Sequence, residues 1–417
     1  MKLVIARLGH LGDGIADGPD GAPVFVPGAL PGEVVEYEPG GPDGSARIRI
    51  LSPSRARVQP SCPHARTCGG CQLQHVSDDL VREWKRNVVI EALLGQGLPA
   101  PVREDVPTSP PGSRRRATLA GRRTKGGVLL GFRMKGSHQI VAVPHCHLLH
   151  SDLIAAWEVL KEIVRLCASR KDELSLTVTQ SLTGLDVMIS GGQVPDAGRI
   201  TALGQLAERG GLARICREGT IIAQQAPPEI AMGKARVALP PGAFMQATAE
   251  GEAALRAAVA EALGQPARIL DLFCGMGTFC LPLAEKAEIH AIDGDPALIR
   301  ALDQAARRTP GLRPLSHECR DLFRDPLGPD ELVGFDAVLI DPPRAGAEAQ
   351  AARLSGADMA VIAMVSCNPV SFARDARILN EGGYQLDWVQ VIDQFRWSTH
   401  IELVARFRLD AAGRDAG

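Results

Sequence analysis

From residue 250 onward the sequence alternates apolar strands with amphipathic helices, and this grammar constrains the chain more than any other feature. Helix GEAALRAAVAEALG is followed by strand ARILDLFC, helix GTFCLPLAEKA and strand EIHAIDGD. Helix PALIRALDQAARR then leads to strands FDAVLIDPP and MAVIAMVSC. Strands separated by helices pair in parallel and need cover on both faces, so an α/β fold with a Rossmann-like doubly wound sheet is expected over 246–417. In such sheets ligands sit at the carboxyl edge of the strands. Upstream the pattern differs. Residues 1–58 are short apolar stretches closed by Gly, Pro and Asp, which predict a small β-barrel, with PGALPGE as the turn between strands Val24–Val26 and Val34–Tyr37. Residues 59–245 read as a central α+β domain, with helices SDDLVREWKRNVVIEALLGQG and LIAAWEVLKEIVRLCASR among strand-like pieces.

The edge of the predicted sheet carries the chemistry. ILDLFCGMGTF runs a buried strand, Ile269 to Phe273, into a turn where Gly275 and Gly277 let the backbone approach a ligand. The following strand ends in AIDGDP, which puts Asp293 where a carboxylate can bind both hydroxyls of a ribose. The turn is GxGxF, not the GxGxxG of dinucleotide sites, and so suits S-adenosylmethionine, although another nucleotide or a purely structural turn fits this motif alone. FDAVLIDPPRAGA brings Asp341, Pro342, Pro343 and Arg344 to the same edge.

Next along that edge is Cys367, in VSCNP. Cysteine packs well in cores, so by itself it could be a small buried residue. The strand reading of THIELV places His400 and Glu402 on one face, and a carboxylate at the end of a buried strand is costly unless used. A thiol and a carboxylate beside such a pocket suit methylation of a carbon that is not nucleophilic by itself, such as pyrimidine C5. The thiol adds to C6, and a base later removes the C5 proton. A free thiol is only ~3% ionised at neutral pH, so a cation or base should assist, with Arg344, Arg374 and His400 nearest in sequence.

Ten cysteines are unevenly spread, three of them in CPHARTCGGCQLQH. Cys62, Cys68 and Cys71 with a remote Cys146 could hold a [4Fe–4S] cluster or a zinc ion, or remain free thiols. Clustering with a distant fourth ligand favours iron–sulfur. Cys167, Cys216, Cys274, Cys280 and Cys319 read as packing residues. The formal net charge is -2, so nucleic-acid affinity must come from a local patch. GSRRRATLAGRRTKGG offers Arg114, Arg115, Arg116, Arg122, Arg123 and Lys125, with Arg133 following in GFR. Such a run is a solvated face or a set of phosphate contacts. Aromatic residues are 4% of the chain, which limits base stacking. No apolar stretch approaches the ~20 residues of a membrane span, and Arg7 interrupts the N-terminal apolar run, so a cytoplasmic protein without membrane contact is expected.

DLFCGMGTF, DPPRAGA, SCNPVSFARD and THIELV together resemble the RNA uracil-C5 methyltransferase family. The resemblance implies S-adenosylmethionine as methyl donor, Cys367 as nucleophile and Glu402 as the base. It also implies Gln246, Phe273, Gly275, Thr278, Asp293, Asp321 and Asp341 as cofactor contacts. Thr278, Asp293 and Arg396 stand where the family usually has Asn, Glu and Pro. The CxxxxxCGGCxxQH pattern with a later cysteine resembles the ribosomal-RNA branch, which carries an iron–sulfur cluster, and VFVPGALPGEVVEYE resembles a TRAM domain, a small RNA-binding barrel. The expected substrate is therefore a uridine of large-subunit ribosomal RNA, with transfer RNA, cytosine-C5 methylation or a non-catalytic RNA-binding role as alternatives. A monomer without an obligate protein partner is expected.

Overall fold

The computed structural model describes residues 1–40 and 46–410. The C-terminal part contains seven strands: β1 Arg268–Leu272, β2 Glu288–Asp293, β3 Leu315–Cys319, β4 Ala337–Ile340, β5 Val361–Ser366, β6 Tyr384–Ile392 and β7 Glu402–Leu409. They lie in the order β3-β2-β1-β4-β5-β7-β6. The first five are parallel, and β7 inserts antiparallel between β5 and β6. Every residue of β4 is buried, as expected of a parallel strand covered on both faces. The chain order reverses between β1 and β4, and a crevice opens there at the carboxyl edge.

Several sequence expectations need correction. The helix read over GTFCLPLAEKA shrinks to Cys280–Leu283, because Gly277 is left-handed (φ 102°) and Pro282 contributes no backbone N–H. β1 ends at Leu272, and Phe273 turns left-handed at φ 61°. His400 does not share a strand face with Glu402: β7 starts at Glu402, and His400 belongs to the loop before it. In the N-terminal part Pro23–Val26 and Val34–Glu38 do not form a hairpin. The former pairs with Gly14–Asp17, and the latter with Lys2–Val4 and Arg47–Ser52, giving two three-stranded sheets around Leu3, Ile5, Ala16, Val26, Ala29 and Val35.

The central part is a seven-stranded sheet carrying helices Trp157–Cys167 and Ala197–Arg209 on one face. Helix Asp78–Gly95 and the segment after it leave this sheet and enter the core of the C-terminal part, where Val89, Leu93, Leu98, Val102 and Val106 pack with Leu270 and Tyr384. Residues 101–109 run along β6 and cap its open edge, with Arg103 N donating to Val389 O and Ser109 N to Asp393 O, both at 2.9 Å. Among the described residues no helix is long and apolar enough to cross a membrane.

Candidate active site

Asp293, Asp341, Cys367 and Glu402 sit at or next to the ends of strands, held there by local backbone chemistry. At β1 the turn closes when Cys274 N donates to Ile292 O (3.0 Å) and Gly277 N to Cys274 O (3.1 Å). A Cβ on Gly277 would lie 2.7 Å from Leu281 and 2.8 Å from Leu302, so only glycine fits. At β2 the Asp293 carboxylate accepts from Gly275 N (2.9 Å) and from Asp295 N (2.8 Å), which fixes it beside the turn. Asp295 then caps the next helix, with Pro296 at its first turn. At β5 the chain ends in Ser366, Cys367 and Asn368. The Asn368 side chain caps helix Pro369–Glu381 and also donates to Arg344 O (2.9 Å), binding the Cys367 turn to the Asp-Pro-Pro-Arg segment.

These ends enclose one cavity of about 520 Å³. Gln246, Phe273, Gly275, Thr278, Asp293, Asp321 and Asp341 all line it, together with Cys367 and Glu402. The sequence reading missed Phe244, Leu298 and Phe323, which also line it. Phe323 packs its ring 5.4 Å from that of Phe273, forming an apolar wall. A single aromatic residue in a loop has no periodic signal by which to be found.

The cavity is lined by acids, and two of them, Asp341 and Glu402, are held towards their protonated forms. Burial, then Asp293, pushes the Asp341 carboxyl up to about 7. Burial, then Asp341, pushes Glu402 up to about 8, against the pull of Gln394, Arg344 and Lys85. Burial, then Glu402 and Asp341, pushes the Cys367 thiol up to about 11, with Arg344 the cation opposing this. A cation entering the cavity would ease all three deprotonations. Arg374 is committed to Asp375 and Glu348, and Arg396 to Asp78 and Ser109 O. His400 Nδ1 lies 3.1 Å from an Arg344 nitrogen, so Arg344 is the cation shared by thiol and histidine.

A family model described as tRNA (uracil-5-)-methyltransferase matches residues 330–406, the span that holds Asp341, Cys367 and Glu402. An uncharacterized RNA methyltransferase of Brucella suis biovar 1 is 44% identical over 405 residues, 97% of each chain. The chain belongs to the RNA uracil-C5 methyltransferase family. The 23S rRNA (uracil(1939)-C(5))-methyltransferase of Shewanella amazonensis is 33% identical over 435 residues, 98% of this chain and 96% of that one. The solved Pyrococcus abyssi tRNA (uracil-54, C5)-methyltransferase, in complex with S-adenosyl-L-homocysteine, superposes with a TM-score of 0.76 at 25% identity, covering 98% of this chain and 99% of that one.

In this methyltransferase Cys62, Cys68, Cys71 and Cys146 come together around one small cavity walled by Phe132, Val143 and Leu148. All four are free thiols. Burial, with mutual repulsion added to it, pushes Cys71 up to about 11 and raises Cys68 and Cys146 as well. Arg114 and Lys135 both feel the charge of Cys71. Among the described residues no group of three or more His, Cys, Asp or Glu stands in an arrangement that could hold a metal ion. The arginine run splits three ways. Arg115 turns inward to Glu252 and so joins the central and C-terminal parts. Arg114 lies over Phe395 and Arg116 over Phe244, at 5.6 and 5.9 Å from the ring centres, near the catalytic cavity. Arg122 and Arg133 flank Glu173, while Arg123 is exposed.

Proposed function

We propose that this methyltransferase makes 5-methyluridine in large-subunit ribosomal RNA through a covalent bond between Cys367 Sγ and uracil C6. The observation that carries the reading is that Cys367 and Glu402 line the same cavity as Gly275, Asp293 and Asp341. The residues present fit S-adenosylmethionine. Phe273 and Phe323 offer an apolar wall, Asp293 a fixed carboxylate, and the crowded acids a place for positive charge. When bound, S-adenosylmethionine supplies an electrophilic methyl group.

The residues of the chain do the rest. Cys367 loses its proton to water, with Arg344 favouring the thiolate, and its sulfur bonds to C6, so the C5–C6 π electrons become available at C5. Cys367 Sγ holds the ring at C6 while the bound donor would supply the methyl group to C5. Glu402, once ionised, removes the C5 proton; the C5–C6 double bond re-forms and the S–C6 bond breaks, returning the cysteine. Arg344 favours the thiolate, and positive charge in the cavity acts in the same direction on Cys367, Asp341 and Glu402.

The ribosomal assignment rests on the 33% identical relative that acts on 23S rRNA. It is reinforced by the cysteine spacing: the four thiols line one cavity and would have to draw closer than they stand here to hold a [4Fe–4S] cluster, with zinc as the alternative. Arg114 and Lys135 stand where they would offset the charge of four thiolates. Methyl transfer is redox-neutral, so the group would organise the loop and not carry electrons. Transfer RNA is the second reading, favoured by the structural neighbour that acts on it. Incubation of the enzyme with labelled methyl donor and unmodified transcripts separates the two. Label recovered as 5-methyluridine in large-subunit RNA is expected; label confined to transfer RNA, or recovered in cytosine, contradicts the assignment.

A further inference from the structure

The loop from Asp393 to Ile401 joins β6 to β7 and delivers Glu402 to the cavity. Its polar atoms converge on one side chain from outside the α/β sheet. Lys85, on helix Asp78–Gly95, is fully buried. Its Nζ donates to Asp393 Oδ1 at 2.6 Å, to His400 O at 2.8 Å and to Phe395 O at 3.3 Å. An ammonium has three protons to donate, and here all three acceptors belong to this one loop. Asp393 is where the loop begins, and His400 lies two residues before Glu402. The contact therefore draws the two ends of the loop together.

An ion pair this deep contributes little net stability compared with apolar packing, so its retention needs another reason. We propose that Lys85 is a positioning residue for the C5-deprotonation step: it sets the loop that aims Glu402 and supplies the positive charge that keeps Glu402 available as a base. The inference rests on the reading of Glu402 as that base. The charged and titratable groups facing Glu402 are Asp341 at the end of β4, Arg344 after it, Cys367 at the end of β5, and Lys85. Burial and Asp341 oppose ionisation of Glu402, whereas Arg344 and Lys85 favour it. Loss of the Lys85 charge leaves Arg344 and the Gln394 hydrogen bond on the favourable side. Gln394, next to Asp393, also touches Glu402 and donates to Gln246 Oε1 at 2.7 Å, so the same loop reaches the cofactor side of the cavity.

Lys85→Met keeps the aliphatic stem and removes the charge. The expected result is turnover about tenfold slower, with the ascending limb of the kcat–pH profile moved about one unit towards alkaline pH. Covalent adduct with ordinary uridine RNA should accumulate, while adduct formation with 5-fluorouridine RNA, which does not need the base, keeps its wild-type rate. Lys85→Arg should restore the pH limb, since it restores the charge. Should Lys85→Met fail to fold, Asp393→Ala removes the closest acceptor of Lys85, unties the start of the loop and is expected to slow adduct resolution in the same selective way. Glu402→Gln is measured alongside. Uridine adduct building up in Glu402→Gln but in neither loop variant overturns the role of Lys85 alone. Build-up in none of them overturns the base assignment as well. An equal slowing of both adducts in the loop variants, with an unmoved pH limb, reduces Lys85 to a packing residue and contradicts the proposal.

Discussion

Cys367 sits where its proton is held, not released. Burial holds the proton on the thiol, as do Glu402 and Asp341, which disfavour a further negative charge, and Arg344 is the cation that opposes them. Glu402 is in the same position, with its carboxyl raised from 4.5 to about 8 and 5% of its surface exposed. The consequence for stability follows from the sign of that shift. The folded protein binds this proton more tightly than the unfolded chain does. The stabilising contribution is therefore complete below pH 4.5 and is lost as pH rises towards about 8. Glu402→Gln removes the loss. Without cofactor, the variant should gain roughly 3 kcal/mol more over wild type at pH 8 than at pH 5, read by denaturant or thermal unfolding. An advantage independent of pH would contradict the account of a carboxyl destabilised by its own site. A residue proposed as the base is thus one that folding would be better without.

At the scale of elements, legibility followed the range of the interactions that define each one. Helix Pro296–Arg308 matches its reading because Asp295 and Pro296 mark its start locally. Strands β1, β4 and β5 were legible as apolar runs, since parallel strands are buried on both faces. β6 was not read as a strand: its outer edge is capped by residues 101–109, a pairing set by chain more than 270 residues away. Phe244 and Phe323 escaped for the same reason, since only the folded cavity relates them to Phe273. The cysteine loop was visible by spacing, but its hold on the catalytic loop was not. Gln72 N and Leu73 N both donate to Trp397 O, at 2.8 and 2.9 Å. Protein purified without oxygen should carry about four iron and four acid-labile sulfide per chain, with Cys71→Ser lowering both. One zinc per chain and no sulfide would replace the cluster with the alternative ion.

Across the whole molecule, three sequence regions converge on one loop. The cysteine segment grips it at Trp397, helix Asp78–Gly95 through Lys85, and the C-terminal sheet through β6 and β7. The N-terminal sheets join this arrangement where Trp84 Nε1 donates to Gly9 O at 3.2 Å and where Leu8 and Leu30 pack with Leu73 and Trp84. Arg114 and Arg116 lie over Phe395 and Phe244, and Phe244 lines the cavity. A substrate held by these parts would present its base to the cavity only after leaving its stack, so the affinity for folded RNA and the chemistry at C5 are linked through base extrusion. The central claim is nevertheless local: Cys367 bonds to the pyrimidine ring. The most direct measurement is mass spectrometry of enzyme incubated with S-adenosylmethionine and RNA containing 5-fluorouridine at the target position. The account predicts an adduct stable to denaturation, mapped to the peptide containing Cys367 and absent in Cys367→Ala. Cofactor binding without any adduct, or an adduct that persists in Cys367→Ala, would contradict it.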